Sequence, residues 1–200
     1  MTQSQAMIAE AFQSASYVAD RMDVQHTPLY DTVTIAAAGA VNPLTTAFFT
    51  NVGAASGKTL AQTNMTQSQR LPAPEAFSIF GFRLRWAEDI LLADLYTLLN
   101  GFCLEFIIGQ KVYQRAPLWH FNAGGGINAF TTANNTTILG NGLPTREAMH
   151  KLAIPIVIEN QTTFFAQRQG NGVNLTAGGA GGTGATLVLL LDGFYARGVQ

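Results

Sequence analysis

The segment of this sequence most suggestive of chemistry is Gly53-Ala-Ala-Ser-Gly57-Lys58-Thr59, which follows an apolar stretch. A loop that cradles nucleotide phosphates has four residues between its two glycines and leads into a helix. Here three residues separate the glycines, and residues 60–67 are poor helix formers. The segment therefore predicts a glycine- and serine-containing loop, and we expect no nucleotide or other cofactor to bind there.

The histidines and the single cysteine are the next candidates for metal binding or nucleophilic catalysis: His26, His120, His150 and Cys103. The histidines are far apart in sequence and lack the short spacing of paired zinc ligands. Because His120 stands between Trp119 and Phe121, its position favours aromatic packing over ligation. Cys103 lies in an apolar segment and is expected to be a small core residue. We therefore predict no catalytic residue, no metal site and no enzymatic activity.

Three aromatic residues around Pro117 have two possible roles: Tyr113, Trp119 and Phe121. Aromatic side chains can form a packed corner of a core, or an exposed platform on which a ligand stacks. The packed corner is the favoured interpretation, and the ligand-stacking platform is the alternative.

The composition points to a protein whose surface is covered by neighbours. Hydrophobic residues make up 48% of the 200 residues and charged residues 12%, with a net charge of −1. Charged residues usually account for about a quarter of a globular protein, and a low net charge favours association. Copies of the same chain are therefore the expected partners. Since no basic cluster is present, specific nucleic-acid binding is not expected.

The chain's relation to membranes is only partly constrained. The longest apolar run, residues 187–191, is far too short to span a bilayer, although contact with a membrane stays open. The first residues show no basic and apolar leader pattern, so synthesis in a cytoplasm is expected.

The first part of the chain predicts an amphipathic helix over residues 3–22, since apolar residues recur there at helical spacing. We assign residues 1–26 to an N-terminal helical arm, with Ile8, Phe12 and Tyr17 as candidate assembly contacts. The helix could pack on its own domain or dock on a neighbouring copy, and the sequence leaves both possibilities open.

The remainder, residues 27–200, predicts a single β-sandwich domain. Phe80, Phe82, Leu84 and Trp86 alternate with Gly81, Arg83 and Arg85, as in a strand with one buried face. Residues 187–191 are apolar on both faces, which predicts burial on both sides. A polar loop is expected over residues 53–76, and one short inserted helix over residues 89–100. Further strands are predicted at residues 31–35, 46–50, 102–108, 154–158 and 162–166. The fold class is mainly β: an antiparallel sandwich or jelly roll with an N-terminal helix and one inserted helix.

Three stretches together carry a family resemblance: residues 109–126, residues 154–165, and the "Leu-Asp-Gly…Arg…Val-Gln" ending of residues 189–200. The set resembles jelly-roll structural proteins of bacterial viruses, including shell proteins of tailless phages. That resemblance implies a virion protein that forms or decorates the capsid by self-assembly. Its partners would be copies of itself and other virion proteins, and it would be made in the host cytoplasm. The alternative is a receptor- or carbohydrate-binding sandwich of the phage tail or spike type, using Tyr113, Trp119 and Phe121.

Overall fold

The computed structural model describes residues 22–35, 39–41, 47–53, 56–86, 92–121, 150–175 and 185–198. This part of the chain is mainly β, and its strands pair in antiparallel fashion. The strands are β1 Met22–His26, β2 Leu29–Ile35, β3 Gly39–Val41, β4 Ala76–Trp86, β5 Phe102–Ile108, β6 Lys111–Pro117, β7 His150–Ile158, β8 Phe164–Gly170, β9 Val173–Leu175 and β10 Ala185–Gly198. Helix α1, Leu92–Gly101, precedes β5, and a 3₁₀ helix, Leu118–Phe121, follows β6.

The largest sheet is built around β10, the last strand. One side of β10 pairs with β2 and β1 in succession, and the other side pairs with β4, which in turn pairs with β7. Leu187, Leu189 and Leu191 of β10 face the core and are fully buried, whereas Val188 and Leu190 are half-buried. The prediction that this apolar run is buried on both sides is therefore wrong. An antiparallel sheet can leave one face partly open to solvent, and this one does.

The second sheet has three strands in the order β6, β5, β8. Strands β3 and β9 form a separate short pair, in which Val41 lies opposite Val173. An isolated bridge in the same register places Phe48 opposite Ala166 of β8. The predicted strand at residues 46–50 is wrong in its described part. Only Phe48 makes a bridge, and the chain turns at Phe49, whose φ is 66°.

The two sheets pack face to face through aromatic side chains. Phe82 of β4 contacts Phe106 of β5 with ring centroids 5.3 Å apart, and Phe121 of the 3₁₀ helix at 5.8 Å. Helix α1 adds Leu95, Leu98 and Leu99 to the same core. The inserted helix and the half-buried strand over β4 are confirmed. Residues 57–75 contain no helix and no named strand, as the predicted loop requires.

The predicted N-terminal helical arm, residues 1–26, is wrong at its C-terminal end. Residues 22–26 form β1, whose Met22 pairs with Gly198 of β10, so the sheet begins before the predicted domain boundary at residue 27. Residues 1–21, with Ile8, Phe12 and Tyr17, lie outside the described residues, and the predicted helix there stays a prediction. Within the described residues, no helix has the length and apolarity needed to cross a membrane.

Candidate functional site

Two edge strands, one from each of the two larger sheets, lie beside each other and are both irregular. Strand β6 ends the three-stranded sheet and β7 ends the five-stranded sheet. Each carries a bulge. In β6, Tyr113 is an extra residue between Val112, opposite Ile107, and Gln114, opposite Phe106. In β7 the four residues 152–155 lie opposite the single residue Phe80. Bulges bend an edge strand and re-aim its side chains.

The β7 bulge turns one large apolar side chain outward. In a regular strand Leu152, Ile154 and Ile156 would share a face. Here Leu152 and Ile156 pack against the core, while Ile154 is 79% exposed. The result is an open depression of about 610 Å³, which we call the β6–β7 groove. It is lined by Tyr113 and Gln114 of β6, and by residues 152–157 and Glu159 of β7 and the turn after it.

Polar and aromatic contacts join β6 to β7 beside the β6–β7 groove. Gln114 Nε2 lies 3.2 Å from His150 Nε2, where a neutral imidazole can accept a hydrogen bond from the amide. The His150 ring lies 4.2 Å from that of His120, centroid to centroid, and 5.4 Å from that of Phe121. Burial, and then the proximity of His120, lower the pKa of His150 below its ordinary value. The neutral ring is therefore the form that fits this junction.

This junction should make the protein less stable in acid. Because the pKa of His150 lies below 6.5 in the folded protein, the unfolded chain binds the proton first as the pH falls. The contribution of this residue to stability is therefore complete above the unfolded pKa, and is lost as the pH falls through the folded pKa. We expect the Tm of His150→Gln to fall less than the Tm of the wild type when the pH is lowered from about 8 to 5. His26→Gln, in the exposed end of β1, is the control and should keep the wild-type loss. An equal loss in all three proteins would contradict the expectation.

The three aromatic residues singled out from the sequence do not form one platform. Tyr113 is 49% exposed and lines the β6–β7 groove, and Trp119 is 54% exposed in the 3₁₀ helix. Phe121 is fully buried. In a 3₁₀ helix residues three apart share a face, so Leu118 and Phe121 both point into the core while Trp119 points to solvent. The platform prediction is therefore wrong for Phe121, and the packed-corner interpretation is right for that residue alone.

The glycine-rich segment is a structural loop in which Lys58 is held by a buried carboxylate. Lys58 Nζ lies 2.7 Å from Asp31 Oδ1, and Asp31 Oδ2 accepts a hydrogen bond from Phe49 N at 2.7 Å. Ser56 N donates to Gly53 O, closing a tight turn. The cation is already neutralised, and residues 59–65 continue as turn and loop rather than as a helix. The described part of the segment therefore lacks the geometry of a phosphate-binding loop.

The middle strand of the small sheet carries the cysteine and an unusual glutamate. Cys103 is only partly buried, so the core prediction is wrong in degree, and its thiol donates to Gln169 O at 3.3 Å. Burial and the nearby Glu105 raise the pKa of Cys103, which keeps the thiol protonated and weakly nucleophilic. Glu105 lies on the outer face of β5, yet is only 4% exposed. Arg115 Nε at 2.6 Å and Gln167 Nε2 at 3.0 Å hold it.

Comparisons with protein-family models, with curated proteins and with solved structures each find no match. Across the described ranges there is no group of three or more histidine, cysteine or acidic residues placed to hold a metal ion. Ile154 was not predicted from the sequence to be a site residue. Pro155 inside an apolar strand was the available signal, because proline within a strand marks an edge or a bulge.

Proposed function

We propose that this chain is a self-assembling structural protein of a bacteriophage virion, which forms or decorates the capsid as a jelly roll. The observation that carries the proposal is the exposed apolar side formed by the two sheet edges, on a chain with few charges. Its partners are copies of itself and other virion proteins, without catalysis, cofactor or specific nucleic-acid binding. It is made in the host cytoplasm and resides in the virion.

The order of the strands supports the jelly-roll part of the proposal. A jelly roll has eight strands in two sheets, arranged as two Greek keys. We take β2 as the first strand and Phe48 with β3 as the second, and then count β4, β5, β6, β7, β8 and β10. One sheet then reads first, eighth, third, sixth, and the other reads second, seventh, fourth, fifth. That order matches the interleaving expected of a jelly roll and supports this part of the proposal.

The exposed side chains support the self-assembly part. Val112 is 43%, Tyr113 49% and Ile154 79% exposed, and all three lie on the edge strands β6 and β7. Neighbouring exposed apolar residues on a folded chain usually mark an interaction surface, whereas single ones need no explanation. With charged residues at only 12% of the chain, little repulsion opposes contact between copies.

A concentration series tests the proposal. We expect purified protein to elute from a size-exclusion column as a defined oligomer whose share rises with concentration. Negative-stain images of the concentrated fractions should show closed or sheet-like particles. A monomer at every concentration, without particles, would overturn the proposal.

A receptor- or carbohydrate-binding module remains the second candidate, because Trp119 is 54% exposed and Tyr113 is 49% exposed. Exposed tryptophan and tyrosine rings can stack on the apolar faces of sugars. Glycan-array binding that is lost in Trp119→Ala, and kept in the equally surface-placed Leu60→Ala, would favour this candidate. The absence of glycan binding by the wild type would remove it.

A further inference from the structure

We infer that the β6–β7 groove is an interface between two copies of this chain, in which Ile154 of each copy fills the groove of the other. The inference rests on the proposed self-assembly and names the surface and the partner for it. Three features lead to it: the position of Ile154, the charges on either side of Pro155, and the shape of the two strand edges.

The first feature is that a protruding side chain and a depression lie next to each other on one chain. Ile154 is 79% exposed, while Leu152 and Ile156 on either side of it pack inward and line the β6–β7 groove. A surface that carries both parts is self-complementary across a two-fold axis, where the same patch meets itself. Each copy would then remove its own Ile154 from water and cover the half-exposed Tyr113 of the other.

The second feature is charge complementarity along β7. Lys151 and Glu159 are both exposed and lie at opposite ends of the apolar residues 152–158. When two β7 segments lie antiparallel across a two-fold axis between these ends, the Lys151 end of one copy meets the Glu159 end of the other. The pairing occurs twice, so this arrangement matches opposite charges at both ends of the apolar stretch. A parallel arrangement would instead bring like charges together.

The third feature excludes simple addition of a strand to β7. A flat edge strand can pair with another chain through its free backbone groups. Here Pro155 lacks an N–H group, and the bulge at residues 152–155 breaks the ladder. The contact is therefore made by side chains. A standard interface involves roughly 20–30 residues per partner. Nine residues line the β6–β7 groove, so a single contact is weak and depends on repetition within an assembly.

The first test compares two glutamate substitutions at equally exposed apolar residues. In sedimentation experiments, Ile154→Glu is expected to weaken the association of copies by at least about tenfold, because a buried isoleucine is replaced by a charge. Leu60→Glu is the matched control: Leu60 is 81% exposed on a different loop, and this variant should associate as the wild type does. Circular dichroism and the thermal midpoint should show both variants folded, since exposed substitutions cost little stability.

The second test exchanges the charges. Lys151→Glu and Glu159→Lys should each associate less than the wild type, because like charges then meet at both ends of the interface. Mixed one to one, the two variants should recover association, since every pair across the interface again joins opposite charges. Recovery in the mixture cannot arise from a change within one copy.

The outcomes separate the inference from the proposed function. If Ile154→Glu associates as strongly as Leu60→Glu, or the mixture recovers nothing, the β6–β7 groove receives some other molecule and the inference is overturned. Self-assembly of the wild type would still stand in that case. If the wild type never associates, the proposed function and the inference fall together.

Discussion

Replacing Asp31 by alanine is expected to lower the free energy of unfolding by about 3–5 kcal/mol, the range for breaking a buried ion pair. Asp31 lies on the core face of β2, opposite Leu189, and its side chain is 0% exposed. Its carboxylate accepts from Lys58 Nζ and from the backbone N–H of Phe49, each at 2.7 Å. Alanine leaves the Lys58 ammonium, whose side chain is only 15% exposed, and the Phe49 amide without this acceptor.

Asp31 also connects parts of the chain that are distant in sequence. It fixes the turn at Phe49, whose φ of 66° is uncommon for an aromatic residue, and anchors the loop that carries Lys58. Lys58→Met should therefore also destabilise the fold, because it leaves the buried carboxylate uncompensated. Asp31→Asn should lie between the wild type and Asp31→Ala, since the amide oxygen can still accept from Phe49 N.

Urea denaturation of Asp31→Ala and of Asp23→Ala would check this expectation. Asp23 pairs with Arg197 at 3.5 Å, with both side chains about half exposed, and such surface pairs contribute about 0–1 kcal/mol. The two variants remove the same charge from two strands that both pair with β10, and they differ mainly in burial. Equal losses in both variants would show that the Asp31 contacts do not stabilise the fold.

Periodicity predicted the elements whose burial is regular. In β4 the alternating pattern assigned the strand correctly and the buried face correctly for Phe82, Leu84 and Trp86, which meet the core at the two-residue period of a strand. The prediction is wrong for Phe80, which is half-buried and contacts the Phe194 ring, because the register of β4 shifts between Ile79 and Gly81. Helix α1 was predicted in the same way from leucines at helical spacing, and Leu95, Leu98 and Leu99 are indeed buried.

Local sequence patterns could not predict the contacts between segments that are distant in the chain. The alternation of β2 places Asp31 on the face of Val33 and Ile35, but nothing nearby in sequence identifies Lys58 as its partner. The β7 bulge likewise depends on the shift in its pairing with β4 between Ile79 and Gly81, which reverses the direction expected for Ile154. Phe121 and Trp119 are two residues apart, and only the 3₁₀ geometry decides which of them is exposed. Among the residues that line the β6–β7 groove, Tyr113 was therefore the one singled out from the sequence.

Gly193→Ala is expected to lower stability by about 3 kcal/mol, at the upper end of the usual cost of overpacking. A Cβ atom at Gly193 would lie 2.0 Å from the carbonyl oxygen of Ser78 and 2.7 Å from the Phe77 ring. The closest obstacle is backbone of the paired strand β4, which cannot move aside as a flexible side chain can. The register of β10 against β4 shifts between Asp192 and Gly193, so the close approach belongs to the bulge itself.

Thermal unfolding separates this backbone effect from a general intolerance of alanine in β10. For a chain of this size, a loss of 3 kcal/mol corresponds to a fall in Tm of about 6–12 °C. Gly198→Ala is the control, because its added Cβ would meet two ring carbons of Pro74, the nearer at 3.1 Å, rather than backbone. We expect Gly198→Ala to shift the Tm much less. If the two variants shift it equally, β10 can move away from β4 at the bulge. Strand β10 pairs with β1, β2 and β4, so such freedom would mean that the five-stranded sheet is held less tightly at Gly193 than its contacts indicate.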